Sequence, residues 1–151
     1  MRKKVLNMDY SESFIPAMMD MLARQQGEIF LYAQQHGYSL DDFIPKYMHS
    51  DFCNREMDAE FSFFHFKMAE SCFPYIQQEL RLKQGADTIG DAYWVGMMYR
   101  YLVLATGRPS REIVENISPS DLDDLGVAYE CYSSEEAVQE IVKRYLPHIV
   151  S

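Results

Sequence analysis

The side chains best suited to hold a ligand in this chain are aromatic and cationic, and they lie close together in the sequence. An arginine stacked on aromatic rings can bind an anionic or planar ligand. The alternative interpretation is a core helix whose tyrosine hydroxyls reach solvent and whose arginine pairs with an acid. The candidate ligand-binding residues are Tyr93, Trp94, Tyr99, Arg100, Tyr101 and Arg108.

A run of acids in the C-terminal third is the second candidate site. Residues 112–140 contain nine acidic residues and no lysine or arginine. The negative electrostatic field of these acids favours a basic protein partner. The alternative interpretation is a solvated surface that keeps the chain soluble. The candidate partner-binding residues are Asp121, Asp123, Asp124, Glu130, Glu135 and Glu136.

The histidines and cysteines predict neither a metal site nor a catalytic centre. His49 and Cys53 are four residues apart, but a zinc site needs three or four ligands and no second pair has ligand spacing. Cys53 and Cys72 fall on an apolar stripe and are expected to be buried and inert, whereas Cys131 is expected to be exposed. The sequence contains no phosphate-binding, nucleophile-elbow or zinc-protease motif. We therefore predict no catalytic residue, metal or cofactor, and the sequence leaves enzymatic activity open.

Length and composition predict one domain, residues 1–151, with a sizeable core, since 48% of the residues are hydrophobic. The net charge of −9 argues against nucleic-acid binding, which depends on lysine and arginine. Three cysteines without a CxxC pair indicate a reducing compartment. The N-terminus lacks the apolar stretch of a signal peptide, and no apolar run has membrane-span length. We expect a cytoplasmic protein without a membrane or nucleic-acid partner, and the oligomeric state stays open.

Residues 88–106 predict a central helix around which the rest of the chain packs. Only Asp91 and Arg100 are charged there, and at about 100° per residue they lie on opposite sides. A helix that is apolar nearly all round is usually buried in the core. Asp87 or Thr88 is the expected N-cap. Small residues on one flank of this helix, Gly96 among them, allow another backbone to approach closely.

Helices are also predicted on both sides of the central one. The first is expected at about 13–36, capped by Ser11 or Ser13, and Gly27 inside it marks a close approach to another helix. The second is expected at about 39–49, with a kink or a 3₁₀ turn at Pro45. Three more follow the central helix, with N-caps at Ser110, at Ser118 and at Ser133 or Ser134. Residues 127–132 are the one segment predicted to be extended.

A sustained apolar stripe between residues 51 and 83 predicts one more long helix. Asp51 is its expected N-cap, Pro74 interrupts it near Ser71, and it resumes to about Lys83. The local β propensity of residues 61–66 is the competing signal. The stripe consists of Cys53, Met57, Phe61, Phe64, Met68 and Cys72.

Three segments resemble a family of small uncharacterised proteins from Gram-positive gut bacteria. They are SDFCNREMD, YRYLVLATGRPSREIVENISPSDL and VAYECYSSEEAVQEI. The genes of that family often lie beside one for an ADP-ribosyltransferase-like protein, in clusters similar to toxin–antitoxin systems. The resemblance implies a non-enzymatic, antitoxin-like neutralising component.

The sequence thus predicts an all-α, single-domain bundle of about six or seven helices. Its predicted function is protein–protein interaction. The alternative is a small-molecule-binding or enzymatic helical domain that uses the aromatic and arginine residues of the central helix.

Overall fold

A long first helix and a buried central helix lie side by side, and the other helices pack around them. The computed structural model describes residues 14–149. In that range the chain forms α1 (Phe14–Gln35), α2 (Leu40–His49), α3 (Ala69–Glu79), α4 (Ala92–Thr106), α5 (Ser110–Asn116), α6 (Pro119–Ala128) and α7 (Ser134–Tyr145). Helices α1 and α4 make the most extensive contact of any two described elements. The protein is an all-α single-domain bundle, as predicted.

Two glycines allow α1 and α4 to approach at the level of their backbones. A methyl group added at Gly96 would lie 2.7 Å from the carbonyl oxygen of Gln26 and 3.0 Å from the Cα of Gly27. A methyl group added at Gly27 would lie 2.8 Å from the carbonyl oxygen of Tyr93. The predicted close approach at these two positions is confirmed.

The central helix is shorter at its N-terminus than predicted. Its N-cap is Asp91, whose carboxylate accepts a hydrogen bond from the Trp94 N–H at 3.0 Å. The prediction of Asp87 or Thr88 as the cap was wrong because both are engaged elsewhere. Asp87 accepts from the N–H of Leu40, and Thr88 donates to Asp41 of α2. Ten of the fifteen residues of α4 are buried, as the nearly all-round apolar pattern predicts.

A kink or a 3₁₀ turn was predicted at Pro45, and the 3₁₀ turn does not form, because the chain stays α-helical through this residue. A short π-helix follows, Phe52–Met57. Asp51 precedes it but makes no side-chain cap bond. The carboxylate of Glu79 instead accepts from the backbone N–H groups of Asp51 and Phe52, at 2.6 and 2.9 Å. An acid at the end of α3 thus caps the π-helix from a distance.

The long helix predicted over 51–83 is wrong. After the π-helix the chain is irregular, forms a 3₁₀ turn at Phe63–Phe66, and begins α3 only after Met68. Helix α3 ends at Glu79 and contains Pro74, so no break falls at Ser71. Two members of the stripe are on the surface, since Phe61 is 85% and Met68 69% exposed. Contacts distant in sequence hold this segment, as described below, and they outweigh its helical periodicity.

The C-terminal helices follow their predicted caps in two of three cases. Ser118 caps α6 and Ser133 caps α7, where Glu136 completes a capping box. Helix α5 has Pro109 as its N-cap, and Ser110 is its first residue, contrary to prediction. Residues 127–132 are not extended: α6 continues to Ala128 and a turn follows.

Among residues 14–149 there is no strand, only an isolated antiparallel bridge between Tyr38 and Gln84. The predicted caps Ser11 and Ser13 lie outside the described residues. In the part of the chain that the structure describes, no helix is both long and apolar enough to cross a membrane.

Candidate functional site

A groove of about 570 Å³ lies between the N-terminus of α4, helix α6 and the start of α7. We call it the acidic groove. A ligand pocket for a small molecule typically measures about 300–1,000 Å³. The acidic groove is lined by Gly90, Asp91, Trp94, Met97, Asp123, Asp124, Gly126, Val127, Tyr129, Glu130, Tyr132, Ser133, Ser134 and Ala137.

Asp123 joins the two principal walls of the acidic groove. Its two carboxylate oxygens accept hydrogen bonds from the N–H groups of Gly90 and Asp91, at 2.8 and 3.0 Å. These donors immediately precede α4, where the helix dipole favours a negative charge. Asp123 therefore fixes the position of α6 relative to the first turn of α4.

Aromatic rings form part of the groove surface. The only tryptophan of the chain, Trp94, packs on Gly126, where an added methyl group would lie 3.2 Å from its ring. Tyr129 and Tyr132 stack with ring centroids 4.9 Å apart and planes 14° apart. Tyr129 is buried, which raises the pKa of its hydroxyl, whereas Tyr132 is 44% exposed. An exposed aromatic ring such as that of Tyr132 attracts cations.

The charge of the groove has one sign. Four of its lining residues are acidic, Asp91, Asp123, Asp124 and Glu130, and none of its lining residues is lysine or arginine. Asp124 and Glu130 are both exposed. Carboxylates beside aromatic faces provide what an ammonium or a guanidinium group binds, namely opposite charge and π surface.

Three of the six acids predicted to bind a partner line this groove, namely Asp123, Asp124 and Glu130. The other three do not. Asp121 lies in the first turn of α6, where its N–H donates to Ser118. Glu135 and Glu136 lie in the first turn of α7, and Glu136 is part of the capping box.

The residues predicted to bind a ligand lie in separate environments. Trp94 lines the acidic groove and Tyr93 packs against Gly27. The hydroxyl of Tyr99 is buried and donates to the carbonyl oxygen of Ile117 at 2.7 Å. Arg108 is exposed and donates to the carbonyl oxygen of Ile149. Of the remaining two, Tyr101 donates to Asp20, and Arg100 lies in the core.

Arg100 is only 2% exposed and is held by side chains from three other segments. Its Nη1 lies 2.6 Å from Asp58, which follows the π-helix, and its Nη2 lies 2.7 Å from Oε1 of Gln26 on α1. Ser110 of α5 completes the network, since its hydroxyl and its N–H both donate to Asp58. Burial alone would lower the pKa of the Arg100 guanidinium, but the neighbouring Cys53 and Asp58 outweigh this effect and raise the pKa.

This network agrees with one part of the core-helix interpretation, in which the arginine of the central helix pairs with an acid. The other part, that the tyrosine hydroxyls reach solvent, is wrong for Tyr99, whose hydroxyl is buried. The donors of Arg100 are already engaged, so the network joins four segments rather than presenting a guanidinium to a ligand. The amide of Gln26 is used at both ends, because its Nε2 donates to the carbonyl oxygen of Gly96. Sequence reasoning did not identify Asp58 as the partner of Arg100, because nothing in the local pattern distinguishes it from the other acids.

The cysteines differ in accessibility as predicted. Cys53 and Cys72 are buried and Cys131 is exposed. Burial raises the pKa of Cys53 and of Cys72 to about 11. Among residues 14–149, no group of three or more His, Cys, Asp or Glu side chains is placed to hold a metal ion.

A thiol reagent is therefore expected to label one cysteine of the native protein rapidly. At pH 8 the two buried thiols are almost entirely protonated and shielded, and only the thiolate reacts. The measurement is the absorbance released by an aromatic disulfide reagent, first under native conditions and then in denaturant, with Cys131→Ser as the control. Rapid release of more than one equivalent from the native protein would contradict the burial of Cys53 and Cys72.

Sequence reasoning missed the tyrosines of the groove, Tyr129 and Tyr132. They fall in the segment predicted to be extended. Their spacing of three residues was the available signal, because a turn can bring two such rings together. That inference requires knowing where α6 ends, which the sequence does not show.

Comparisons with protein-family models, with curated proteins and with solved structures find no match for this chain.

Proposed function

We propose that this protein is a non-enzymatic interaction protein that binds a basic segment of a partner protein in its acidic groove. The observation that supports the proposal is the lining of the groove, in which four carboxylates lie beside the partly exposed Trp94 and the exposed Tyr132 without any cationic side chain. A lysine or arginine from a partner supplies the missing charge.

The free acids of the groove make this charge available to a partner. Asp123 has its carboxylate occupied by two backbone N–H groups. Asp124 and Glu130 are exposed, and in the described chain neither has a lysine or arginine partner. Each exposed ion pair contributes about 0.2–1 kcal/mol, and a cation over an exposed aromatic ring contributes about 0.5–1 kcal/mol. Several such contacts along one peptide add up to measurable binding.

The resemblance to a family encoded in toxin–antitoxin-like gene clusters suggests the kind of partner that the groove would bind. In our proposal the chain is the neutralising component, and the acidic groove holds a basic surface of the toxin. We place the protein in the cytoplasm, where the free thiols of Cys53, Cys72 and Cys131 persist in reduced form.

The test uses Trp94 as a built-in reporter of the groove, because it is the chain's only tryptophan. Octa-arginine is expected to change its fluorescence saturably at low salt, and more weakly at about 150 mM salt, where charges are screened within about 8 Å. The double variant Asp124→Asn/Glu130→Gln is expected to bind about 3–10-fold more weakly, since it removes two exposed charges.

The matched control is Asp51→Asn/Glu60→Gln, which removes the same two kinds of charge from exposed positions outside the groove. It is expected to bind nearly as tightly as the wild type. Equal loss in both double variants would mean that the peptide responds only to net charge, and the proposal of a specific groove would fail. Capture of partners from the host lysate with the wild type and the groove variant then identifies the partner.

The volume of the acidic groove favours one second candidate, a site for a small organic cation. Tetramethylammonium distinguishes the two. If it changes the Trp94 fluorescence at lower concentration than octa-arginine does, the groove is a small-molecule site. If it has no effect at concentrations where the peptide saturates, the peptide-binding function stands.

A further inference from the structure

Residues 58–68, which we call the phenylalanine loop, carry an unusual number of exposed apolar side chains. Phe61 is 85%, Phe63 76%, Phe66 73% and Met68 69% exposed. Among the other large apolar side chains of the described residues, only Val127, at 75%, is comparably exposed. Large contiguous apolar patches on a protein surface usually mark an interaction site.

The backbone of the phenylalanine loop places these four side chains on one side. Ser62 and Lys67 are extended, with φ −150° and −97°, so the residues before and after each of them point the same way. Between them lies the 3₁₀ turn, in which residues three apart, Phe63 and Phe66, are eclipsed. The backbone therefore favours one face for the four side chains, and Lys67 borders that face with its Nζ 4.9 Å from the centroid of the Phe63 ring.

The loop is held firmly from beneath. The side-chain amide of Gln25 on α1 donates to the carbonyl oxygens of Phe64 and Lys67, at 2.7 and 2.8 Å. The imidazole Nε2 of His65, which is buried, lies 3.1 Å from the carbonyl oxygen of Met57. The ring of Phe64 packs edge-on against that of Phe52, with centroids 5.0 Å apart. An anchored loop presents its apolar face without an ordering cost on association.

The charge of the groove beside Phe66 and Met68 is balanced, in contrast to the net negative charge of the whole chain. A groove of about 560 Å³ beside it includes Phe66 and Met68 in its lining. Its charged lining residues are the two cations Arg24 and Lys67 and the two acids Glu28 and Glu70. A chain with a net charge of −9 repels a second copy at most other orientations. A lining with two cations and two acids is self-complementary, because the cations of one copy can pair with the acids of another.

We propose that the phenylalanine loop is a self-association surface that joins two copies of this chain around a two-fold axis. A buried aromatic side chain removes about 150–250 Å² from water. At the observed exposures, the four side chains offer on the order of 600 Å² per copy. The pair reaches roughly 1,200 Å², the lower end of the range for specific interfaces. The surface is separate from the acidic groove and does not depend on its function.

The test is sedimentation velocity of the full chain from about 1 to 200 µM. The wild type is expected to shift from monomer to dimer across this range. Phe63→Ser/Phe66→Ser is expected to weaken the dimer on the order of 100-fold, since both copies lose two central contacts. Val127→Ser, an equally exposed apolar position in the acidic groove, is the matched control and leaves the dimer unchanged. Circular dichroism verifies the fold of each variant.

A charge exchange identifies the second copy as the occupant. Lys67→Glu replaces a cation by an acid in both copies, so that acids face acids across the interface, and it is expected to weaken the dimer. Adding Glu70→Lys to the same chain restores the balance and most of the affinity. A wild type that remains monomeric at 200 µM overturns the proposal, and so does a double exchange that stays as weak as Lys67→Glu. A monomer that captures another protein through the same phenylalanines overturns it too.

Discussion

Arg100→Met is expected to destabilise the protein by about 3–5 kcal/mol. The substitution keeps the volume of the side chain but leaves the carboxylate of Asp58, which is 9% exposed, without its cation. Removing one member of a buried ion pair usually has an effect of this size, because the remaining charge is buried unpaired. The measurement is urea unfolding followed by circular dichroism at pH 7.

Two further variants show whether the loss comes from the network. Arg108→Met makes the same chemical change at an exposed arginine, and surface changes of this kind usually stay within about 0.5 kcal/mol. Arg100→Met/Asp58→Asn removes the charge that Arg100→Met leaves unpaired, so it is expected to be more stable than Arg100→Met alone. If Arg100→Met were no less stable than Arg108→Met, the Arg100 network would not hold the four segments together.

Gly96→Ala is expected to lower the free energy of unfolding by about 1–3 kcal/mol, and Gly96→Leu by at least as much. A loss of stability in Gly96→Ala would be informative, because alanine in a helix is intrinsically favoured over glycine by about 1 kcal/mol. At Gly96 the added methyl would lie 2.7 Å from the Gln26 carbonyl oxygen and 2.8 Å from the ring of Phe30. Helices α1 and α4 must therefore move apart. Thermal and urea unfolding measure the loss.

Gly90→Ala is the control for this prediction. Its added methyl would lie 3.7 Å from the nearest atom of Asp123, an ordinary contact, so little change is expected. A melting temperature of Gly96→Ala equal to or above that of the wild type would show that the α1–α4 contact can relax, which would contradict close packing at this position.

The sequence predicts the parts of the fold that local chemistry determines. The burial of α4 follows from its apolar residues, and the caps at Ser118 and Ser133 follow from short-range hydrogen bonds. Gly27 was identified as a close approach because glycine inside a helix is otherwise unfavourable, and Gly96 because it lies on a flank of small residues. Each of these features is encoded within one or two turns of helix.

The phenylalanine loop shows why the rest could not be predicted. Its apolar residues recur at helical spacing, yet the segment is not a continuous helix. Gln25 binds its backbone from 39 and 42 residues away, and Asp58 pairs with Arg100 from 42 residues away. Contacts over such distances leave no trace in a local pattern, and together they outweigh helix propensity.

The acidic groove could be predicted from the sequence only in part. The run of acids is visible in the sequence, and three of its members line the groove. The sequence does not show which acids are already occupied by the fold. Asp123 and Asp121 look alike along the chain, but only the carboxylate of Asp123 accepts from the N–H groups that precede α4.

The pairing of α1 with α4 has a consequence for how the chain is made. Gln26 and Arg100 are 74 residues apart, so α1 leaves the ribosome long before its packing partner exists. At about 5–20 residues per second, this interval lasts roughly 4–15 seconds. During that time the apolar face of α1, with Ile29 and Phe30 on it, has no α4 to cover it. Nascent chains that stall within this interval are expected to need a chaperone, whereas chains that have released α4 can bury that face themselves.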